Sequence, residues 1–206
     1  MDWLLIIVML PLLAAVAVGF VPGRQRRVIR GITIGASGLS LLCALIAFLS
    51  FEIDGELKFE TKVPWVESLG LYFHLAADGI NIGIILMGAI VAFAAACCAD
   101  DITHRVKEFH ILLNVMIGGI LGAFASMDLF FFYFFHELAL VPTFIMIGVW
   151  GRGANRNYAT YKITLYLSLG ALLALIGLIG VYVQTGAESF SIPDLIATVQ
   201  ESPIDE

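Results

Sequence analysis

The chain has 206 residues, of which 60% are hydrophobic and only 14% charged, and its mean hydropathy is +0.96. These values exclude an ordinary soluble domain, because apolar runs of about 20 residues recur along the whole length, as in proteins with transmembrane helices. The formal net charge is −6, and the basic residues are few and scattered, which argues against nucleic-acid binding.

Six apolar segments predict an all-α membrane protein with six transmembrane helices, organised as one bundle over residues 1–183. The first segment lacks the positively charged start of a secretory signal, so we expect a retained span and not a cleaved leader. The predicted spans cover residues 3–21, 28–51, 79–98, 109–126, 128–150 and 158–183.

Two polar segments lie outside the predicted spans. Residues 52–78 form a polar loop, in which the alternating Tyr72-Phe-His-Leu favours a short hairpin at the membrane interface. Residues 184–206 form an acidic tail, and we expect a short surface helix over its 192–199 portion.

The basic residues are distributed unevenly between alternate loops. The loops after the first, third and fifth spans hold eight of the eleven Lys and Arg residues. The loops after the other spans hold only Lys58 and Lys62, together with most of the acids. Because basic loops remain on the cytoplasmic side of a membrane, we predict that the N-terminus, the loop 52–78 and the tail 184–206 face outside.

Three cysteines, Cys43, Cys97 and Cys98, fall in apolar spans. No histidine or further cysteine accompanies them at metal-ligand spacing, so the sequence predicts neither a zinc nor an iron–sulfur site. We interpret all three as small buried hydrophobic residues.

A carboxylate lies close to the middle of the fifth predicted span. Glu137 is about 14 Å from the outer end of that span at ~1.5 Å per residue, too deep for its short side chain to reach water. An acid at this depth costs roughly 2.5 kcal/mol or more, which makes it a functional candidate. It is either a carboxyl that exchanges protons with internal water or a neutral, hydrogen-bonded carboxyl that only fixes helix packing.

Two further ionisable residues accompany Glu137. Lys162 lies about four residues inside span six, where it either serves the same site or extends its stem to the headgroups. It is some 13 Å from Glu137 along the membrane normal by helix rise, which argues against a direct salt bridge. His136 points about 100° away from Glu137 around the helix and is either structural or faces a second hydrated path.

Residues near the span ends fit interfacial positions. We expect His110, at the start of span four, to lie at the membrane interface. Asp78 and Asp128 precede spans three and five, where a carboxylate interacts favourably with the positive end of a helix.

The span-five motif, Phe-Phe-Tyr-Phe-Phe-His-Glu137-Leu-Ala-Leu-Val-Pro142-Thr-Phe, resembles the central motif of the antiporter-like membrane subunits of respiratory complex I, the NADH–quinone oxidoreductase. Within this proton-conducting transporter family it is most similar to subunit M, the equivalent of chain 4. Pro64-Trp65, Leu75-Ala-Ala-Asp78 and Ala159-Thr-Tyr-Lys162 agree with the same family, and the similarity runs from about residue 1 to 185.

The resemblance implies that Glu137 matches a glutamate essential for proton translocation and that Lys162 matches a lysine common in bacterial members. His136 departs from the aromatic or apolar residue usual at its position. The family has about fourteen transmembrane helices in two inverted repeats with broken helices. We therefore expect this chain to be the N-terminal portion of such a subunit, either a fragment or a split subunit whose later helices come from another polypeptide.

The resemblance further implies a subunit of the bacterial inner membrane that couples quinone reduction to proton pumping beside other complex I subunits. NADH, FMN, iron–sulfur clusters and quinone are expected in those other subunits, with no cofactor and no redox chemistry in this chain. One alternative is a subunit of a multisubunit Na⁺/H⁺ antiporter or a membrane-bound hydrogenase. Another is a non-transporting scaffold in which Glu137 stays protonated.

Overall fold

A computed structural model describes residues 2–52, 55–186 and 189–201 of the chain. Over these residues the chain forms helices joined by short connections, with one two-stranded antiparallel sheet. The elements are α1 (Trp3–Phe20), α2 (Arg26–Leu49), β1 (Lys58–Val66), β2 (Leu71–Ala77), α3 (Asn81–Cys98), α4 (Val106–Ala125), α5 (Leu129–Trp150), α6 (Arg156–Thr185) and α7 (Ile192–Glu201).

Helices α1 to α6 are each long and apolar enough to cross a membrane, with mean hydropathies between 1.6 and 2.7 over their most apolar windows. This confirms the predicted all-α membrane protein with six transmembrane helices. Helix α6 has 30 residues and is longer than the predicted span at both ends. The β1–β2 hairpin lies within the predicted polar loop, and α7 lies within the tail. The outside position of the N-terminus stays a prediction.

The apolar core lies between α1, α2, α3 and α4. Helix α4 is central, because it packs along both α1 and α5. The side chains of Leu4, Ile7, Ile85 and Leu121 are fully buried in this core. Helix α6 lies at the edge, against α5 and α7, and Ala171 is its one buried residue. Most of α6 therefore exposes apolar side chains, which a membrane or a partner helix would cover.

Helices α4 and α5 approach closely through two glycines. A Cβ atom at Gly119 would lie 2.7 Å from the Ala139 nitrogen and 2.9 Å from the Phe135 oxygen, which are backbone atoms of α5. A Cβ atom at Gly122 would lie 2.5 Å from the Phe135 ring. Small residues allow such close packing in membranes, where no hydrophobic effect drives helices together.

One end of the bundle holds a junction between the hairpin, the α4–α5 turn and the segment before α7. The Met127 N–H donates to the His74 oxygen over 2.8 Å, and the Ile192 N–H donates to the Met127 oxygen over 2.8 Å. The Leu129 N–H donates to the Phe190 oxygen over 2.9 Å. Because these bonds join all three segments, the polar loop and the α7 segment lie at the same end of the bundle.

Asp128 caps α5 at this junction, which confirms its predicted position at a helix N-terminus. Its fully buried carboxylate accepts hydrogen bonds from the backbone N–H groups of Phe130 at 2.9 Å, Phe131 at 3.1 Å and Tyr72 at 3.3 Å. Burial raises the pKa of Asp128, and the three backbone donors oppose that rise. The carboxylate thus ties the hairpin to the first turn of α5.

The junction also contains a buried histidine that makes its stability depend on pH. His74 Nε2 lies 2.9 Å from Glu60 Oε1, but burial is the largest influence and lowers the pKa of His74. The folded protein therefore binds fewer protons than the unfolded chain just below the ordinary histidine pKa of about 6.5.

We expect the free energy of unfolding to fall as the pH drops below about 6.5, by at most about 1.4 kcal/mol per pH unit from this residue. Thermal unfolding of the detergent-solubilised chain between about pH 5 and pH 7 measures this slope. A His74→Gln variant keeps a donor toward Glu60 and should show a flatter pH dependence. Equal slopes for the two proteins would contradict the assignment to His74.

Candidate functional site

Glu137 is the ninth residue of α5 and lies on the side of that helix next to α4. Its side chain is partly buried at a groove of about 340 Å³ between the two helices. The other residues that line this groove are apolar: Leu112, Val115, Phe134, Leu138, Val141 and Pro142. Glu137 therefore borders a groove whose surface is apolar.

Two polar groups of α5 lie close to this carboxyl group. The Tyr133 hydroxyl, one helical turn earlier, interacts with the Glu137 side chain. Pro142 has no N–H, so the Leu138 oxygen lacks its usual partner four residues later, although α5 continues through the proline. The site thus offers a hydroxyl and a free carbonyl beside a carboxyl group.

His136 lies beside this group but on a different face of α5. Its ring centroid is 6.3 Å from that of Tyr133, and its side chain is partly buried. Tyr133 therefore contacts both His136 and Glu137, a role that sequence reasoning missed. The four-residue spacing of Tyr133 and Glu137 was the available signal, since such residues share a helix face.

Lys162 lies apart from Glu137 in the part of the chain that the structure describes. It is an exposed residue in the second turn of α6, and its Nζ is 5.9 Å from the ring centroid of Tyr158. Within residues 2–52, 55–186 and 189–201, no ion pair joins it to Glu137.

One interpretation of individual residues was wrong, and another is untested. His110 is fully buried in the bundle, because α1 and α2 pack against α4, and its depth at the membrane interface stays a prediction. Cys97 and Cys98 are exposed, since the end of α3 turns them to the outer surface of the bundle, and only Cys43 is buried. No group of three or more His, Cys, Asp or Glu side chains among the described residues could hold a metal ion.

The chain resembles known proteins over most of its length. The sequence model of the family described as "NADH:quinone oxidoreductase/Mrp antiporter, TM" matches residues 126–204. Chain 4 of the chloroplastic NAD(P)H-quinone oxidoreductase of Angiopteris evecta is 34% identical over 190 residues, which cover 90% of this chain and 38% of that protein. NAD(P)H-quinone oxidoreductase chain 4 of Gloeobacter violaceus is 30% identical over 198 residues, which cover 95% of this chain and 37% of that protein.

A solved structure shares the fold. A chain in the structure of respiratory complex I from Thermus thermophilus with bound NADH superimposes with a TM-score of 0.79 at 28% identity, covering 95% of this chain and 39% of that chain. These similarities confirm the resemblance that the span-five motif predicted, and they confirm a multi-pass membrane protein. The chain spans only 37–38% of the length of the two curated relatives.

Proposed function

We propose that this chain is a proton-translocating membrane subunit of an NAD(P)H–quinone oxidoreductase of the complex I type. The observation that carries the proposal is the position of Glu137, near the middle of the membrane-spanning helix α5 and beside the groove next to α4. An ionisable side chain at this depth is costly, and a proton relay is one of the roles that account for it.

Glu137 binds and releases the transported proton in this proposal. The Tyr133 hydroxyl can donate to the ionised carboxylate or accept from the protonated carboxyl group, whereas the Leu138 carbonyl can only accept from the protonated form. Lys162 and His136 belong to the same pathway, each connected to Glu137 through water or another side chain.

The redox chemistry takes place in other subunits. NADH, FMN, iron–sulfur clusters and quinone bind there, and this chain carries no cofactor. Other membrane subunits of the complex cover the exposed face of α6. Since Lys162 resembles the lysine common in bacterial members, we place the complex in the bacterial inner membrane.

Depletion of the chain from its host, followed by complementation, tests the proposal. Membrane vesicles that contain the chain should couple NADH oxidation by quinone to proton movement, and vesicles without it should lose that movement. A proton movement driven by a sodium gradient alone would favour the antiporter alternative, whose name stands in the same family description. A movement driven by hydrogen oxidation would favour the hydrogenase alternative.

Substitution of Lys162 by methionine tests whether this residue belongs to the pathway. We expect a partial loss of proton movement in the same vesicles, because methionine keeps the length of the side chain without its charge. Lys162→Arg keeps the charge and should retain more activity. If Lys162→Met moves protons at the rate of the unmodified protein, Lys162 only anchors α6 at the headgroups.

A further inference from the structure

A second group of polar side chains lies inside the bundle, away from Glu137. His110 and Asn114, one turn apart on α4, are both 0% exposed. Both ring nitrogens of His110 and the Asn114 Oδ1 atom have no hydrogen-bonding partner among the described residues. These three atoms are therefore hidden from the solvent without a hydrogen-bonding partner among the described residues.

Such atoms are costly to leave unpaired. A histidine ring carries a donor or an acceptor on each nitrogen, and a buried group without a partner costs about 1–3 kcal/mol. Buried polar atoms in folded proteins are almost always paired, and ordered water supplies the partner where the protein does not. The arrangement of His110 and Asn114 thus requires a small polar ligand.

Buried polar side chains of α2 lie next to His110 and Asn114 of α4, and together they form a polar surface inside the bundle. The Asn114 Nδ2 atom donates to Thr33 Oγ1 over 2.9 Å and to the His110 oxygen over 2.8 Å. Ser37 and Ser40 follow Thr33 at helical spacing on one face of α2, and all three are buried. Their hydroxyl groups donate to backbone oxygens, so Ser37 and Ser40 keep both acceptor lone pairs for water, and Thr33 keeps the one that Asn114 does not occupy.

The polar surface reaches the solvent at one end. Arg30 lies one turn before Thr33, acts electrostatically on His110, and forms an ion pair with Asp100. The Nε atom of Arg30 also has no partner among the described residues. The Arg30 side chain is 27% exposed and that of Asp100 is 70% exposed. Helices α1 and α3, which pack beside α2, contribute no Asp, Glu, Lys, Arg or His to this region.

We propose that the α2–α4 contact binds water between Arg30, His110 and Asn114, and that the His110 imidazole exchanges protons with the solution next to Asp100. The buried hydroxyl groups of α2 extend the same hydrated surface toward the middle of the bundle. The hydrated α2–α4 contact is therefore a second site at which protons enter the bundle, separate from the α4–α5 groove. The proposal does not depend on proton translocation by Glu137.

Solid-state NMR of the full chain in lipid bilayers tests the proposal. With ¹⁵N-labelled histidine, the His110 ring is assigned through its neighbours Phe109 and Ile111, and exchange of its N–H is followed after transfer to D₂O. We expect the His110 ring N–H to be lost as rapidly as that of the exposed His104. A His110 signal that persists long after the His104 signal has gone would overturn the proposal.

A pair of variants assigns the water to this site. Asn114→Leu removes a polar wall of the site and should slow the exchange of the His110 N–H, with no effect on His104. Val115→Leu is the matched control, because the adjacent Val115 lines the Glu137 groove instead. Unchanged exchange in Asn114→Leu, or equal slowing in both variants, would overturn the assignment of the water to Asn114.

Discussion

Replacement of Glu137 by glutamine is expected to abolish proton translocation while the complex still assembles. Glutamine has nearly the same shape and keeps hydrogen-bonding groups toward Tyr133, but its side chain cannot bind and release a proton. The packing of α5 on α4 should therefore persist, and only the proton-carrying step should be lost. Proton uptake and NADH oxidation are measured together in vesicles that contain the complete complex.

Two comparisons make the Glu137 result specific. Glu137→Asp keeps an ionisable group on a shorter stem and should retain part of the translocation that glutamine abolishes. Val141→Ala, at the same groove, leaves the carboxyl group in place and should translocate protons normally. Full translocation by Glu137→Gln would mean that the carboxyl group only packs, as in the scaffold alternative.

Substitution of Gly119 by alanine is expected to destabilise the bundle by about 1–3 kcal/mol, the usual range for overpacking. The added methyl group would meet backbone atoms of α5, which cannot move aside without shifting the whole helix. The higher helix propensity of alanine, worth about 1 kcal/mol, offsets only part of this effect. Thermal unfolding of the solubilised chain measures the change.

Gly177→Ala serves as the matched control for this substitution. It makes the same change within helix α6, where a Cβ atom would have nothing within 4 Å. We expect it to unfold at or slightly above the temperature of the unmodified chain. Equal stability of the Gly119→Ala and Gly177→Ala variants would contradict the close approach of α4 and α5.

The six transmembrane helices were predictable because hydropathy alone distinguishes a membrane-spanning segment from a loop. The ends of α6 were harder to predict, because Arg156 and Thr185 are polar. Polar residues occur in loops and also in the end turns of a helix at the membrane interface. Glu137 could be identified from the sequence because a carboxyl group in an apolar helix is energetically costly. Tyr133 could not be identified, because it lies within a run of phenylalanines that indicates only an apolar helix surface.

Burial inside the bundle was not predictable from single residues. His110 follows a loop by a few residues, as interfacial histidines do, and only the packing of α1 and α2 on α4 places it inside. Cys97 and Cys98 were predicted to be buried but are exposed. Apolar residues of a membrane protein face lipid as readily as they face the core. The polarity of a residue therefore indicates its depth in the membrane more reliably than it indicates whether the residue faces the lipid or the bundle core.

Infrared difference spectroscopy of the working complex tests proton transfer by Glu137, because it observes the carboxyl group itself. Spectra are recorded as NADH is added to the complete complex, with Glu137→Gln as the reference that identifies the band. We expect a protonated-carboxyl band that changes during turnover and is missing from the glutamine variant. A carboxyl band that stays constant through turnover, with protons still translocated, would contradict proton transfer by Glu137.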